Sequence, residues 1–321
     1  MTGNSGRVWL ICRVSCFVPF DVALGLRVEC TNVKGIPMGQ RRKIAGSRML
    51  ITGASQGIGR ALAVQAARQS AKVLASARHE DYLRQLAEEV RGQGGALEYV
   101  VADVTSPVDR QKMVDAAIQH FGGLDILVNN AGIGATGHFA DVGFDILRKI
   151  MEVNFYGLTE TTRALLPLLK QGNRPAIVNI SSIAGRRGIP ARSHYSASKF
   201  AVQGFSEALR AELAKDGVDV LVISPGLTQT NFSQNMLEQK ALVKLDHLRG
   251  MTADDVALAS LKAIARGKHE TVLSFKGRLL VWFARFLPKI VDLVTKKKIR
   301  ELFKDEMAAR KQQPEAAANQ G

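Results

Sequence analysis

From residue 49 onward, short runs of aliphatic and β-branched residues alternate with stretches whose apolar positions recur every three or four residues. The first pattern suits strands buried on both faces, and the second suits amphipathic helices. Strands are predicted at residues 49–52, 72–76, 97–102, 126–129, 176–180, 218–224 and 271–274. Helices are predicted between them at 58–69, 82–91, 108–121 and 205–213, the last as the end of one helix beginning near Tyr195. Strands separated by helices run parallel and carry helices on both faces, so the fold class is α/β. Residues 1–47 lack this rhythm and read as an N-terminal extension. Residues 48–275 form the body, 276–310 a helical extension and 311–321 a polar tail.

Charge changes the picture less than its total suggests. The chain of 321 residues carries a net charge of +15, which invites a nucleic-acid reading. Residues 1–48, however, hold 8 Lys/Arg against 2 acids, and residues 276–321 hold 11 against 5. The 25 basic and 22 acidic residues between them leave the body nearly neutral, so no nucleic-acid partner is expected.

Cys12, Cys16 and Cys30 all lie near the N-terminus, so neither a disulfide framework nor a thiol nucleophile supports the body. A reducing, cytoplasmic compartment is expected. No His/Cys/Asp grouping offers a metal site, and none is expected. A spanning helix is not expected either, because no run of about 20 uninterrupted apolar residues occurs. The apolar stretch 9–26 is broken by Arg13 and Asp21, which leaves a secretory signal as the lesser alternative. Met38 is an alternative start, and Arg41-Arg42-Lys43 reads as a solvated approach to the first strand.

The first strand runs into Thr52-Gly53-Ala54-Ser55-Gln56-Gly57-Ile58-Gly59 and then a helix. Glycines there allow a sharp turn and let backbone N–H groups approach a pyrophosphate at the helix N-terminus. Between the first strand and first helix of an α/β pattern, this is a dinucleotide signal; the alternative is a turn required only for packing. At the end of the second strand, an acid would hold the 2′-hydroxyl of NAD. The run Ala75-Ser76-Ala77-Arg78 has none, and Arg78 would pair with a 2′-phosphate. NADPH/NADP+ is therefore the expected cofactor, ahead of NAD. A surface arginine opening the next loop is the alternative for Arg78.

Tyr195 and Lys199 stand four apart at the start of the long helix, on one face, with a rise of about 6 Å between them. A free phenol has a pKa near ~10, and a fixed positive charge nearby favours the phenolate. Such a pair can serve as an acid/base at cellular pH. A packed tyrosine beside a solvated lysine is the alternative.

The ordered set Thr52–Gly59, Asn129-Asn130-Ala131-Gly132, Asn154, Asn179-Ile180-Ser181-Ser182, Tyr195/Lys199 and Pro225-Gly226 resembles the short-chain dehydrogenases/reductases over about residues 45–275. The resemblance implies a single-domain, doubly wound Rossmann-like fold with a seven-stranded parallel sheet. It also implies a catalytic group of Asn154, Ser182, Tyr195 and Lys199. Ser182 is preferred over Ser181 because it stands thirteen residues before Tyr195; Ser181 would then be a turn cap. By the same resemblance, Asp103 with Val104 lies against the adenine, and Asn130, Ala131 and Gly132 run beside the cofactor. Pro225, Gly226, Thr228 and Thr230 approach the nicotinamide, and Gly53, Ser55, Gln56, Gly57, Ile58 and Gly59 hold the pyrophosphate. Asn129 is expected to tie strands together. Asn154, in a helical segment, is expected to hold a water that continues the proton relay from Lys199. His194 is not assigned a catalytic part, since successive helical residues diverge.

The implied chemistry is hydride transfer to a carbonyl carbon, with Ser182 and Tyr195 donating to the oxygen and Tyr195 supplying the proton. Substrate contacts are expected from Gly132–Gly137, Gly185–Pro190, Arg192 and an apolar lid in 231–250 (Phe232, Met236, Leu237, Leu242 and Val243). A lid of that kind favours an apolar ketone over a sugar. Residues 276–304 alternate aromatic and aliphatic positions with lysines and arginines, and Pro288 is expected to start a second helix. This basic amphipathic pair suits peripheral contact with a membrane surface; a helix packed over the substrate opening or a subunit contact is the alternative. The segments around Ile189–Tyr195 and Ile223–Gly226 resemble the branch containing membrane-associated lipid-ketone reductases, and the family implies a homo-oligomer. The expected function is NADPH-dependent reduction of a carbonyl compound. The alternatives are alcohol oxidation with NAD(P)+ and a dinucleotide-sensing scaffold, the latter disfavoured by the complete catalytic set.

Overall fold

The computed structural model describes residues 41–230, 232, 236–239 and 250–303. Of the expected features, the three cysteines, Leu242, Val243 and the polar tail lie outside the described residues. In chain order the elements are β1 (Arg48–Thr52), α1 (Gly57–Arg68), β2 (Lys72–Ala77), α2 (Glu80–Gly92), β3 (Ala96–Val101), α3 (Pro107–Phe121) and β4 (Ile126–Asn129). There follow α4 (Phe144–Met151), a π turn (Glu152–Tyr156), α5 (Gly157–Lys170), β5 (Ala176–Ile180), a short 3-10 turn (Ile183–Gly185) and α6 (Ser193–Glu212). The chain continues with β6 (Asp219–Ser224), the two-residue strands β7 (Thr228–Gln229) and β8 (Met251–Thr252), α7 (Ala253–Ala265), β9 (Glu270–Val272), α8 (Phe275–Phe286) and α9 (Pro288–Leu302).

Seven strands pair in parallel in the order β3-β2-β1-β4-β5-β6-β9. Every expected strand and helix is present within two residues of its expected bounds. The sheet alternates its side chains between two cores, as the period of two requires. Met49 and Ile51 of β1, Val73 of β2, Val128 of β4 and Val178 of β5 point to one face, where α1, α2 and α7 cover them with Leu62, Leu86 and Leu261. Leu50, Leu74, Leu127 and Ile177 point to the other, under Met113 of α3 and Leu165 of α5. Both faces are apolar, which is why the strands read as continuous runs rather than alternating ones. Helix starts follow local chemistry: Ser106 accepts from Asp109 N at 3.2 Å before Pro107 opens α3, and Thr252 caps α7 through Asp255 N at 3.1 Å.

Two expectations require correction. Arg42 is not solvated: its guanidinium pairs with Asp219 at 2.5 Å and donates to the carbonyls of Ile264 and Arg174. The partner lies on β6, distant in sequence, so nothing local to the basic cluster announced it. Asn154 lies in the π turn rather than in a regular helix. One extra residue per turn there re-aims side chains between α4 and α5, a distortion that recurs at functional positions.

As the pattern predicted, Pro288 opens a second C-terminal helix. Its contacts run inward to the loops beyond the sheet. A Cβ on Gly277 of α8 would lie 2.3 Å from Ile183 Cδ1, Asp292 of α9 pairs with Arg187, and the buried Phe303 ring meets His138 edge-on at 4.6 Å. Outward, Phe275, Trp282, Phe286, Ile290, Leu293 and Val294 are exposed. Among the described residues, no helix is long and apolar enough to cross a membrane.

Candidate active site

The strand order reverses between β1 and β4, and there the chain leaves a crevice beyond the carboxyl ends of the strands, where α/β sheets bind ligands. A cavity of about 750 Å³ occupies it. At one end the loop after β1 turns at Gly53, whose φ is +66°, and α1 opens at Gly57 with φ +56°. A Cβ on Gly53 would lie 2.8 Å from Ala131 Cα, and one on Gly59 would lie 2.3 Å from the Gly53 carbonyl oxygen. Thr52 Oγ1 accepts from the backbone N–H groups of Asn130 and Ala131 at 3.1 Å, while Asn130 Nδ2 donates to the Thr52 and Gly53 carbonyls. The two loops are thus stitched into a bare backbone cradle at a helix N-terminus, the form that receives a pyrophosphate. The Ser76 hydroxyl, at the end of β2, is buried beside the cavity without a partner. A bare backbone cradle and an orphaned hydroxyl fit a dinucleotide.

Ser55, Gln56, Ile58, Arg78, Asp103, Val104, Gly132, Pro225, Gly226, Thr228 and Thr230 line the same cavity. Gly59 does not; its role is to let α1 meet the loop after β1. Arg78 is largely exposed and stands 3.9 Å from Asp103 Oδ2, and the other carboxylate oxygen of Asp103 accepts from Thr105 N and Oγ1. His79 and Tyr82 also line this end, in an edge-on pair with centres 6.0 Å apart. Neither was expected from sequence, where Tyr82 looked like one more amphipathic position.

At the opposite end Tyr195, Lys199 and Ser182 line the wall together. All the buried residues of α6 from His194 to Lys199 face inward or into neighbouring loops, and Ser198 donates to the Tyr195 carbonyl. Burial raises the Tyr195 pKa above the ordinary phenol value, while hydrogen bonding to Ser182 and the Arg192 charge pull it down. Burial takes Lys199 down to about 8. Its Nζ donates to the Ile180 carbonyl at 3.0 Å and lies 5.7 Å from the centre of the Tyr195 ring. Both cations, Arg192 and Lys199, therefore stand on the wall that carries the phenol. Phe232 leans on Tyr195 at 5.7 Å, and Met236 joins the same wall; Leu237 is exposed and does not line the cavity.

Asn154 is fully buried and does not line the cavity. Its Oδ1 accepts from Ile133 N at 2.8 Å, and its Nδ2 donates to Ile133 O and Ser198 Oγ. A Cβ on Gly132 would meet both Asn154 Oδ1 (3.2 Å) and Lys199 Nζ (3.6 Å), so glycine there keeps the two groups in reach of one backbone position. The serine expected as a cap is not the one that caps: Ser182 Oγ accepts from Ala184 N at 3.1 Å, whereas Ser181 donates to the Lys199 carbonyl. Asn129 donates to Asn179 and Thr162, joining β4, β5 and α5. His194 stacks on Phe139, away from the cavity. Among the described residues, no group of His, Cys, Asp and Glu could hold a metal.

The model of the short chain dehydrogenase family matches residues 47–241. The chain belongs to that family. A "Dehydrogenase/reductase SDR family protein 7-like" from Anopheles gambiae is 36% identical over 275 residues, covering 81% of this chain and 86% of that protein. A short-chain dehydrogenase/reductase from Burkholderia phymatum in complex with NAD superposes with a TM-score of 0.70 at 25% identity, over 78% of this chain and 96% of its own. An alcohol dehydrogenase from Thermococcus sibiricus complexed with 5-hydroxy-NADP gives 0.64 at 26% identity, over 71% and 95%. This short-chain dehydrogenase/reductase is thus an NAD(P)-dependent oxidoreductase of carbonyl and alcohol groups. The two neighbours carry different cofactors, so they leave the choice between NAD and NADP to this chain's own residues.

Proposed function

We propose that this enzyme reduces an apolar, lipid-like ketone with NADPH. The observation that carries the reading is the shared wall of Tyr195, Ser182 and Lys199, opposite the glycine cradle and under Phe232 and Met236. The bound nicotinamide would supply the hydride. Ser182 orients the carbonyl oxygen by hydrogen bonding, and the Tyr195 hydroxyl gives that oxygen its proton as the C–H bond forms. Lys199 would hold the cofactor's ribose and, with Asn154 and water, would return a proton to Tyr195. Arg78 supports the choice of NADPH: it stands at the end of β2 on the cavity wall, where a 2′-phosphate would find a fork of donors. The cradle, Asp103 and Thr228 to Thr230 would hold the rest of the dinucleotide.

The test is oxidation of NADPH and NADH by the full-length protein against short ketones, 3-oxoacyl esters and acyl-dihydroxyacetone phosphate, with Tyr195→Phe as control. Turnover favouring NADPH and the longer-chained ketones is expected. Turnover confined to NADH, or to small carbonyls, would overturn the corresponding part.

The exposed apolar face of α8 and α9 further supports peripheral contact with an anionic membrane. Trp282, Phe286 and Ile290 stand out from a surface that also carries Arg285, Lys289 and Lys297. Vesicles containing phosphatidylserine should sediment the protein and shift Trp282 emission to the blue. Absence of both effects, or undiminished sedimentation of Trp282→Glu/Phe286→Glu, would refute the contact.

A further inference from the structure

Arg192 is the last residue before α6 and shares the cavity wall with Tyr195, three positions on. A guanidinium is permanently charged, carries five N–H donors and accepts nothing. The arginines that are buried as whole residues are served accordingly. Arg42 meets Asp219 and two carbonyls, and Arg110 meets Glu160 and the Val104 carbonyl. Arg192 differs: among the described residues its side chain makes no hydrogen bond or ion pair, and its Nε is buried without a partner. Burial lowers its pKa, and the Tyr195 phenolate would oppose that effect. Arg192 as a whole is half-buried, and a guanidinium partly withdrawn from water without an anion is costly unless a ligand completes it.

The backbone also bears strain there. Ala191 holds φ at +59°, a left-handed conformation that alanine rarely adopts, and the Gly137 N–H fixes it by donating to the Ala191 carbonyl at 2.9 Å. Of the cavity's other cations, Arg78 faces Asp103 at the far end and Lys199 is bonded to the Ile180 carbonyl. Arg192 alone among these three is left uncommitted, beside the acid/base tyrosine and the apolar Phe232.

We propose that Arg192 anchors an anionic oxygen group, phosphate or carboxylate, on the carbonyl substrate, so that the preferred substrate is an amphiphile with its charge near the reacting carbonyl. The proposal rests on the reductase reading for its catalytic test but not for its binding test. The glycine cradle after β1 already offers the dinucleotide a phosphate site away from this wall.

The experiment compares wild type, Arg192→Gln and Arg192→Lys on matched pairs: dihydroxyacetone phosphate against dihydroxyacetone, and a six-carbon 3-oxo acid against its methyl ester. Arg192→Gln should lower kcat/KM for the charged member about 10- to 100-fold more than for the neutral member, mainly through KM. Lysine should recover part of the loss, and the pair affected more distinguishes phosphate from carboxylate. Equal losses on both members would overturn the assignment, as would weakened NADP+ binding in a fluorescence titration. Independently of turnover, millimolar inorganic phosphate or hexanoate should raise the melting temperature of the NADP+-saturated wild type more than that of Arg192→Gln. Equal shifts in the two proteins would overturn the proposal even if no carbonyl is reduced, whereas failure of the reductase reading alone would leave this difference in place.

Discussion

Lys199 Nζ donates to the Ile180 carbonyl and stands 5.7 Å from the centre of the Tyr195 ring, so the two residues share a wall without touching through their polar atoms. Anything that joins ammonium to phenol must come from a ligand or water between them. This arrangement separates the roles that mutation can test.

Tyr195→Phe removes the proton donor and keeps the ring against Phe232. It should reduce kcat by at least about 10³-fold while NADPH affinity, followed by fluorescence, changes less than about threefold. Ser182→Ala should cost about 10²-fold, because one oxyanion donor is lost and the acid remains. Similar losses in kcat and cofactor affinity would contradict this division.

Lys199 makes stability depend on pH. Folding lowers its pKa from 10.5 to about 8, so between those values the unfolded chain holds the proton more tightly. Stability from this group therefore climbs as pH rises from 8 to 10.5, and below 8 the buried charge is a liability of about 3 kcal/mol. Lys199→Met should thus be more stable than wild type at neutral pH, by up to that amount, with the advantage shrinking toward pH 10.5 in urea titrations. An advantage constant with pH would show that packing, not charge, is responsible.

Arg78→Ala should raise KM for NADPH by about 10- to 100-fold and leave NADH within a few-fold, since only the phosphorylated cofactor would lose a charged partner. The two Michaelis constants, measured on one ketone, decide it. Equal effects would identify Arg78 as a surface residue paired with Asp103.

Gly59→Ala places a methyl group 2.3 Å from the Gly53 carbonyl oxygen and 2.4 Å from Asn130 Nδ2. The backbone atom cannot rotate away, so α1 must shift. A loss of about 1–3 kcal/mol in unfolding free energy is expected, with cofactor binding weakened beyond what stability explains. Unchanged binding would mean that the cradle tolerates displacement of the helix.

Asp125 predicts the acid limb of stability. Burial would raise its pKa, but hydrogen bonds from the Arg48 guanidinium and backbone and from Asn173 N outweigh it and hold the carboxylate below its ordinary value. The stabilisation is present above the unfolded-state value and disappears as pH falls through the lower, folded one. Asp125→Asn should cost about 3–5 kcal/mol at neutral pH, less as the medium is acidified. A pH-independent difference would sink the account.

The sheet, the glycine turn and the tyrosine–lysine pair were legible because each depends on a local period or spacing. Strands buried on both faces, such as residues 176–180, announce themselves as unbroken apolar runs. What escaped depends on distant partners. The burial of Arg42 needs Asp219, the placement of Phe303 needs His138, and the π turn at Asn154 has no pattern distinct from an ordinary helix. The unpaired state of Arg192 belongs to the same class: sequence could place it on the wall, but only three dimensions reveal that no carboxylate among the described residues pairs with it.

The polar contacts in the floor carry one more implication. Asn129 donates to Asn179 at 2.9 Å, and Asn179 donates to Ser206 of α6 at 2.8 Å, all three buried. These rungs peg the helix bearing Tyr195 and Lys199 to the two strands at the centre of the sheet. The distance from proton donor to cradle is thereby fixed by buried side-chain bonds as well as by the backbone ladder, so loosening any one rung should misplace Tyr195 without touching it.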